Sequence, residues 1–226
     1  MSLIQKIVLI IHIISGFTAL SSGLVPMLVK KGTRTHVISG YIFVFGMYGV
    51  SLTSTLMFIV KPYNPFLLFL LFIGIFSFYL TYTGISAIKH NKAQYKIKIM
   101  DWVAVGTILI AGIAMVSFSI YYLLQLDYVF AILYGVFGYL SLSLFFGDYK
   151  SFMKWRVSSP EKMAWFYNHM SRILGSYIAT FTAFCVVNVH FLPPLIVWSL
   201  PGLIGGIGIT IWIRKYKKKF ETVSLS

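Results

Sequence analysis

The sequence predicts an all-α protein, a polytopic bundle of seven transmembrane helices that forms one integral membrane domain over residues 1–226. Three observations predict it: the composition, seven long apolar runs, and the way positive charge is distributed between those runs. Hydrophobic residues make up 58% of the chain and charged residues only 11%, and the mean hydropathy is +0.85. A water-soluble domain carries about 25% charged residues, so this chain has too few to cover a surface in water. Lipid is therefore the expected solvent.

Seven apolar runs are long enough to cross a bilayer, because a helix of roughly 20 residues spans a hydrocarbon core of about 30 Å. The first run is longer than the apolar core of a cleaved signal peptide and has no small-residue cleavage pattern, so we expect it to remain as the first span. The predicted spans cover residues 7–29, 36–60, 65–88, 102–124, 128–147, 166–190 and 194–213.

Local signals support the limits of these spans. Proline ends helices, and prolines lie between spans two and three and between spans six and seven. Asp101 begins span four, where its carboxylate is expected to cap free N–H groups. Pro201 and the glycines that follow it make span seven the least regular, so we expect a kink or close packing there. Asp148 and Glu161 follow span five and are expected to be solvated in the connecting loop.

Positive charge alternates from one connection to the next. Cations in short loops stay on the cytoplasmic side, and the poorly charged side has only Lys6 and Lys61. Seven spans with this alternation place the N-terminus outside and the C-terminus in the cytoplasm. The net charge of +14 is therefore a topology signal that also binds the headgroups of membrane lipids, and no nucleic-acid partner is expected. The clustered cations are Lys30, Lys31, Arg34, Lys89, Lys92, Lys96, Lys98, Lys150, Lys154, Arg156, Lys162, Arg214, Lys215, Lys217, Lys218 and Lys219.

A short element occurs twice near the start of the chain, as HIISGF at residues 12–17 and as HVISGY at residues 36–41. In each copy a glycine follows the histidine by four residues, so both lie on one face of a helix. Glycine on a membrane helix lets another backbone, or a flat cofactor, come close. Because spans one and two run in opposite directions, the element is expected once in each leaflet, with His12 in the outer half and His36 at the inner interface.

The remaining histidines divide between the two sides in the same way. His90 and His169 join His36 on the inner side, and His190 joins His12 on the outer side. Three of the histidines, His36, His90 and His190, lie nearest a membrane interface. Because imidazole is amphipathic, each could instead serve as an interfacial anchor.

Arg172 is the one cation placed within a predicted span. Such a residue is costly in lipid, faces the bundle interior, and usually pairs with an anion. The candidate partners are Glu161, Asp148, Asp101, a lipid phosphate or the carboxylate of a ligand.

Binding of b-type haem accounts for these features together. Neutral imidazoles can ligate haem between helices, with glycine making space and an arginine meeting a propionate. His36 with His169 or His90 would form an inner site, and His12 with His190 an outer one, so that electrons could cross the membrane. The candidate cofactor-binding residues are His12, His36, His90, His169, Arg172, Gly16 and Gly40.

Three other functions stay open. A zinc-dependent membrane hydrolase could use His36, His90 and His169 as metal ligands, although no His-x-x-x-His or His-Glu-x-x-His spacing occurs. A transporter could use Arg172 and the glycine-rich last span, although acidic residues are absent from the span centres. The third function is a non-catalytic role in assembly. The chain would then bind a respiratory-chain complex or a second copy of itself.

Three stretches resemble a family of bacterial multi-pass integral membrane proteins that share a domain of unknown function. They are KKGTRTHVISGYIF, FLLFLLFIGIFSFYLTYTGISAIK and WFYNHMSRILGSYIATFTAFCVVN, and the resemblance runs from about His12 to Trp212. It implies a helical multi-pass fold in the bacterial cytoplasmic (inner) membrane and implies no activity. The positions that match the family pattern are His12, His36, Trp165, His169 and Gly175.

The predicted orientation can be tested by cysteine labelling, because Cys185 is the only cysteine. In a Cys185→Ser background, Lys61→Cys should react with a membrane-impermeant maleimide in intact cells. Lys219→Cys should react only after the cells are permeabilised. The opposite pattern of labelling would reverse the orientation.

Overall fold

The computed structural model describes residues 2–62, 64–89, 97–155 and 163–224, and of residues 221–224 only the backbone. Within these ranges the chain forms seven helices and no strand, and every helix is long and apolar enough to cross a membrane. The predicted all-α seven-helix fold is therefore confirmed. The helices are α1 (Leu3–Leu28), α2 (Arg34–Val60), α3 (Pro65–Lys89), α4 (Ile99–Leu124), α5 (Tyr128–Trp155), α6 (Ala164–Asn188) and α7 (Pro194–Ser224).

Two helices continue well beyond their predicted ends. Helix α5 runs past the predicted end of span five at residue 147 to Trp155, and it carries Asp148 on a face that packs against other helices. Helix α7 passes its predicted end at residue 213 because the basic residues that follow are good helix formers. Pro201 lies inside α7 without ending it.

Side chains close several helix ends. Ser2 and Gln5 form a reciprocal capping box at α1, and Thr33 caps α2. The predicted capping role of Asp101 is confirmed, since its Oδ2 accepts a hydrogen bond of 2.9 Å from the backbone N–H of Lys98. These bonds satisfy N–H groups that the first helical turn leaves without partners.

Helix α3 lies at the centre of the bundle. It packs against α2, α4, α5 and α6, while the α1–α2 and α4–α5 hairpins flank it and α7 packs mainly on α6. Large apolar side chains such as Phe45, Ile110 and Leu203 point outward and are 72%, 71% and 64% exposed. An apolar exterior of this kind suits a bundle that faces lipid. We call the end that holds the α1–α2 connection, with Lys30 and Lys31, the basic end.

Close backbone approach joins α1 to α2 at one glycine. A Cβ atom added to Gly46 would lie 3.0 Å from the backbone nitrogen of Ala19 and 3.0 Å from the carbonyl oxygen of Ser15. Ala19 and its neighbours Phe43 and Met47 are buried at this crossing. The two helices can pack this closely only because residue 46 has no side chain.

Gly46→Ala should therefore push α1 away from α2 and destabilise the protein by about 1–3 kcal/mol, the usual cost of overpacking. The measurement is thermal unfolding of the protein in detergent. Gly40→Ala in the same helix is the matched control, because no atom lies within 4 Å of the added Cβ there. Equal unfolding temperatures for the two variants would contradict the expected packing role of Gly46.

Candidate functional site

The three described histidines that lie within helices are all held in the same tautomer. Nδ1 of His169 lies 2.8 Å from the carbonyl oxygen of Gly84, and Nδ1 of His36 lies 3.3 Å from that of Pro26. A carbonyl oxygen only accepts, so both Nδ1 atoms must carry the proton and donate.

His12 reaches the same state through a hydroxyl. Its Nδ1 lies 2.8 Å from Oγ1 of Thr53, and the hydroxyl of Thr53 donates its one hydrogen to the carbonyl oxygen of Gly49 at 2.6 Å. Oγ1 of Thr53 is therefore left to accept from Nδ1 of His12. Thr53 thus fixes the tautomer of His12 as firmly as a carbonyl would.

Each of these rings consequently keeps a lone pair on Nε2, because a neutral imidazole has one N–H only. No hydrogen bond joins Nε2 of His12, His36 or His169 to another residue in the described part of the chain. Histidines that ligate metals are held in this way, with the far nitrogen donating to a carbonyl or carboxylate. The three rings are therefore oriented to accept a hydrogen bond or to ligate a metal through Nε2.

His36 and His169 line one cavity, which we call the His36 cavity. It has a volume of about 260 Å³, lies at the basic end, and is lined by residues of α1, α2, α3, α6 and α7 and of the α1–α2 connection. The helices that carry the two histidines, α2 and α6, do not pack backbone against backbone. Their side chains meet, as where the ring centres of Phe43 and Tyr177 lie 6.2 Å apart. Gly40 also lines the cavity, and the space beside its Cα is open. The walls are otherwise mainly apolar.

A single lysine brings positive charge to this cavity. Nζ of Lys31 donates to the carbonyl oxygens of Pro26, at 2.6 Å, and Met27, at 3.2 Å, and lies 5.6 Å from the ring centre of Trp212. Partial burial in the α1–α2 connection lowers the pKa of Lys31. Two of the three N–H donors of the ammonium group are thus used by the chain, which leaves one for an anionic group at this edge of the cavity.

His12 lines a second cavity, the His12 cavity, in the opposite half of the bundle. Its volume is about 370 Å³, and α1, α2, α3, α6 and α7 contribute to it. Gly16 lines it beside His12, as Gly40 lines the other cavity beside His36. Each copy of the repeated element therefore lines a different cavity, with its histidine and its glycine on the same wall.

A buried layer separates the two cavities. Phe43 lines the His36 cavity and Met47 lines the His12 cavity, and both pack with Ala19 in one core cluster. The hydroxyl of Thr180 in α6 lies 2.8 Å from the sulfur of Met47, which ties this layer to α6.

The other predicted site histidines lie elsewhere. His190 is exposed and lines a third cavity, of about 440 Å³, so the structure does not bring it together with His12. His90 falls outside the described residues, and with it the set of His36, His90 and His169 that was considered for zinc. Within the described ranges no group of three or more His, Cys, Asp or Glu side chains could hold a metal ion.

Arg172 forms an ion pair away from both histidine cavities. Its Nη2 lies 2.6 Å from Oδ1 of Asp148, and the side chains are only 12% and 16% exposed. The hydroxyl of Tyr79 donates to Oδ2 of the same carboxylate, and the tyrosine ring lies 5.7 Å from the guanidinium carbon. Asp148 is one of the partners considered for Arg172, but the expectation that it is solvated in a loop is wrong.

This ion pair joins α3, α5 and α6 and borders a small polar cavity of about 20 Å³. Asp101 borders the same cavity and accepts hydrogen bonds from Ser86 and Tyr82. Arg172 does not line the His36 cavity, so its positive charge compensates Asp148 there rather than a bound ligand.

The two other positions of the family pattern have packing contacts. A Cβ on Gly175 would lie 3.4 Å from a methyl group of Leu80, so this glycine supports the contact between α6 and α3. The half-buried ring of Trp165 packs edge-on against Phe166, with ring centres 5.8 Å apart.

Sequence reasoning missed three residues: Lys31 and Trp212, which line the His36 cavity, and Thr53, which holds the ring of His12. Lys31 was interpreted as a topology signal that also binds lipid headgroups, and Thr53 is 41 residues from the histidine that it holds. No local pattern connects residues so far apart in the chain.

Comparisons of the chain with protein-family models, curated proteins and solved structures find no match. The family resemblance carried by the His12 and His36 stretches therefore remains a prediction.

The ion pair predicts a marked effect of a single substitution. Asp148→Asn should leave Arg172 as an uncompensated buried cation and destabilise the protein by about 3–5 kcal/mol. The measurement is thermal unfolding in detergent. The double variant Arg172→Met with Asp148→Leu should recover most of the loss because it removes both charges. A double variant as unstable as Asp148→Asn would contradict this account.

Proposed function

We propose that this chain is a membrane-embedded electron carrier whose His36 cavity would hold one b-type haem through His36 and His169. One observation carries the proposal: both histidines line the same cavity, and each has Nδ1 committed to a backbone carbonyl and a lone pair on Nε2. Bound haem iron supplies reversible one-electron transfer, and its potential depends on the axial ligands and the polarity around it.

The residues present fit a haem in three respects. The two candidate ligands lie on α2 and α6, which meet through side chains and not through their backbones, and Gly40 provides a clearing beside His36. The cavity walls are mainly apolar and suit a macrocycle, and Lys31 offers a cation for a propionate. The volume of about 260 Å³ lies just below the range of small-molecule sites, about 300–1,000 Å³. Met27 and Met170 line the cavity and are flexible enough to move aside for a larger ligand.

The hydrogen bonds from Nδ1 would act on the two histidines that hold the haem. A carbonyl that accepts from the far nitrogen holds the imidazole plane and raises the basicity of Nε2. Gly84 would do this for His169 and Pro26 for His36. The apolar walls would exclude water and favour the less charged state of the site.

The orientation predicted from the charge pattern would place this site near the cytoplasmic face of a bacterial inner membrane. The basic end carries Lys30 and Lys31, and the His36 cavity lies there. A carrier at this depth would exchange electrons with a respiratory-chain partner on that face. The second, outer haem is not part of the proposal, because His12 and His190 line separate cavities.

The test is an absorption spectrum of the protein purified in detergent after expression with a haem precursor. We expect a Soret band, about one haem per chain, and the reduced-minus-oxidised spectrum of a site with two histidine ligands. His36→Ala and His169→Ala should each abolish that low-spin spectrum, and added imidazole should restore it in His169→Gly.

His12→Ala is the matched control, because His12 is also locked through Nδ1 but lines the other cavity. It should keep the spectrum, as should His190→Ala. Thermal unfolding of each variant separates loss of ligand from loss of fold. A well-folded wild-type protein that stays colourless when haem is supplied would refute the proposal, and one bound zinc per chain would favour a hydrolase.

A further inference from the structure

We propose that the His12 cavity binds a membrane-soluble quinol, with His12 accepting a hydrogen bond from one phenolic hydroxyl. This site is separate from the haem site, and the proposal stands whether or not haem binds. It follows from the chemistry of the residues that line the cavity.

The lack of charged residues among the described lining of the cavity excludes charged ligands. None of the described residues that line it is an Asp, Glu, Lys or Arg. A charged molecule would lose its hydration there and gain no opposite charge, which costs several kcal/mol. A haem also fits poorly, since none of the described lining residues offers a cation for its two propionates. The occupant is therefore a neutral molecule.

The tautomer of His12 determines which hydrogen-bonding group that molecule must carry. Thr53 fixes the proton on Nδ1, so Nε2 offers a lone pair and no hydrogen. A ligand group that donates can pair with Nε2, whereas a ketone or quinone oxygen cannot. A hydroxyl donor is the matching group, and leaving Nε2 without a donor inside lipid would be unfavourable.

The walls of the cavity favour a flat aromatic ring next to that hydroxyl. Phe17, Phe66, Phe184 and Trp198 line it, and aromatic rings pack well against one another. At Gly16 an added Cβ would meet only Val50, at 3.8 Å, so the helix surface beside His12 is shallow enough for a ring.

The cavity also reaches the lipid-facing surface of the bundle. Ile13, Phe17 and Val187 line it and are 58%, 69% and 65% exposed. A ligand dissolved in the bilayer can therefore enter sideways without crossing water. A quinol meets these requirements, because it is a neutral, lipid-soluble ring that carries a hydroxyl donor.

The probe is tetramethylhydroquinone, and its dimethyl ether is the matched control because it keeps the ring and lacks the donor. Binding is measured by isothermal titration calorimetry of the full chain in lipid nanodiscs, with empty nanodiscs as the blank. Dithionite keeps the sample reduced, so no electron transfer contributes heat. We expect the hydroquinone to bind about tenfold more tightly than the ether, the effect of one hydrogen bond.

His12→Ala should remove this preference, whereas His190→Ala, on the same side of the bundle, should keep it. Thr53→Val frees the tautomer of His12 and should reduce the preference even where the fold and the cavity are retained. Equal binding of the hydroquinone and the ether by the wild-type protein would overturn the proposal. A preference that survives in His12→Ala but is lost in His36→Ala would place the ligand in the other cavity and also overturn it.

Discussion

An N–H group inside a bilayer has no water to bond to, and this constraint explains the detailed arrangement of the histidines. Nδ1 of His12, of His36 and of His169 each donates a hydrogen bond to an acceptor elsewhere in the fold. The donor–acceptor distances are 2.8, 3.3 and 2.8 Å. In soluble proteins a histidine can exchange tautomers through water, but here the acceptor decides the tautomer. The chemical character of both cavities follows from that one choice.

The same constraint governs the other polar groups between helices. Thr81 in α3 and Ser176 in α6 share a buried hydrogen bond of 2.6 Å, and Ser51 in α2 donates to the carbonyl oxygen of Gly74 in α3. Asp148 balances the charge of Arg172 where neither could be solvated. Hydrogen bonds and one compensated ion pair thus hold α3 to its neighbours. The three histidines each leave one ring nitrogen without a hydrogen bond to the described part of the chain, as Arg172 leaves its Nη1.

Composition and run length alone were sufficient to predict the seven helices, because lipid requires long apolar segments and allows few alternatives. Asp148 was wrongly predicted to lie in a solvated loop, because Asp148 and Lys150 resemble such a loop until the partner of Asp148 is known. That partner comes from a different helix, and Tyr79, which bonds to the same carboxylate, is 69 residues away. The repeated histidine and glycine could be recognised as a pair from their spacing. The sequence could not predict which cavity each histidine lines, or which atom of its ring points inward, because both depend on contacts between helices.

The buried layer of Ala19, Phe43 and Met47 has a further consequence. It lies between the His36 cavity and the His12 cavity, in the same seam of helices, and its side chains are all apolar. An ion that moved from one cavity to the other past these side chains would leave water and meet only methyl, sulfur and phenyl groups, which is costly. The layer therefore opposes the passage of ions along this seam of helices.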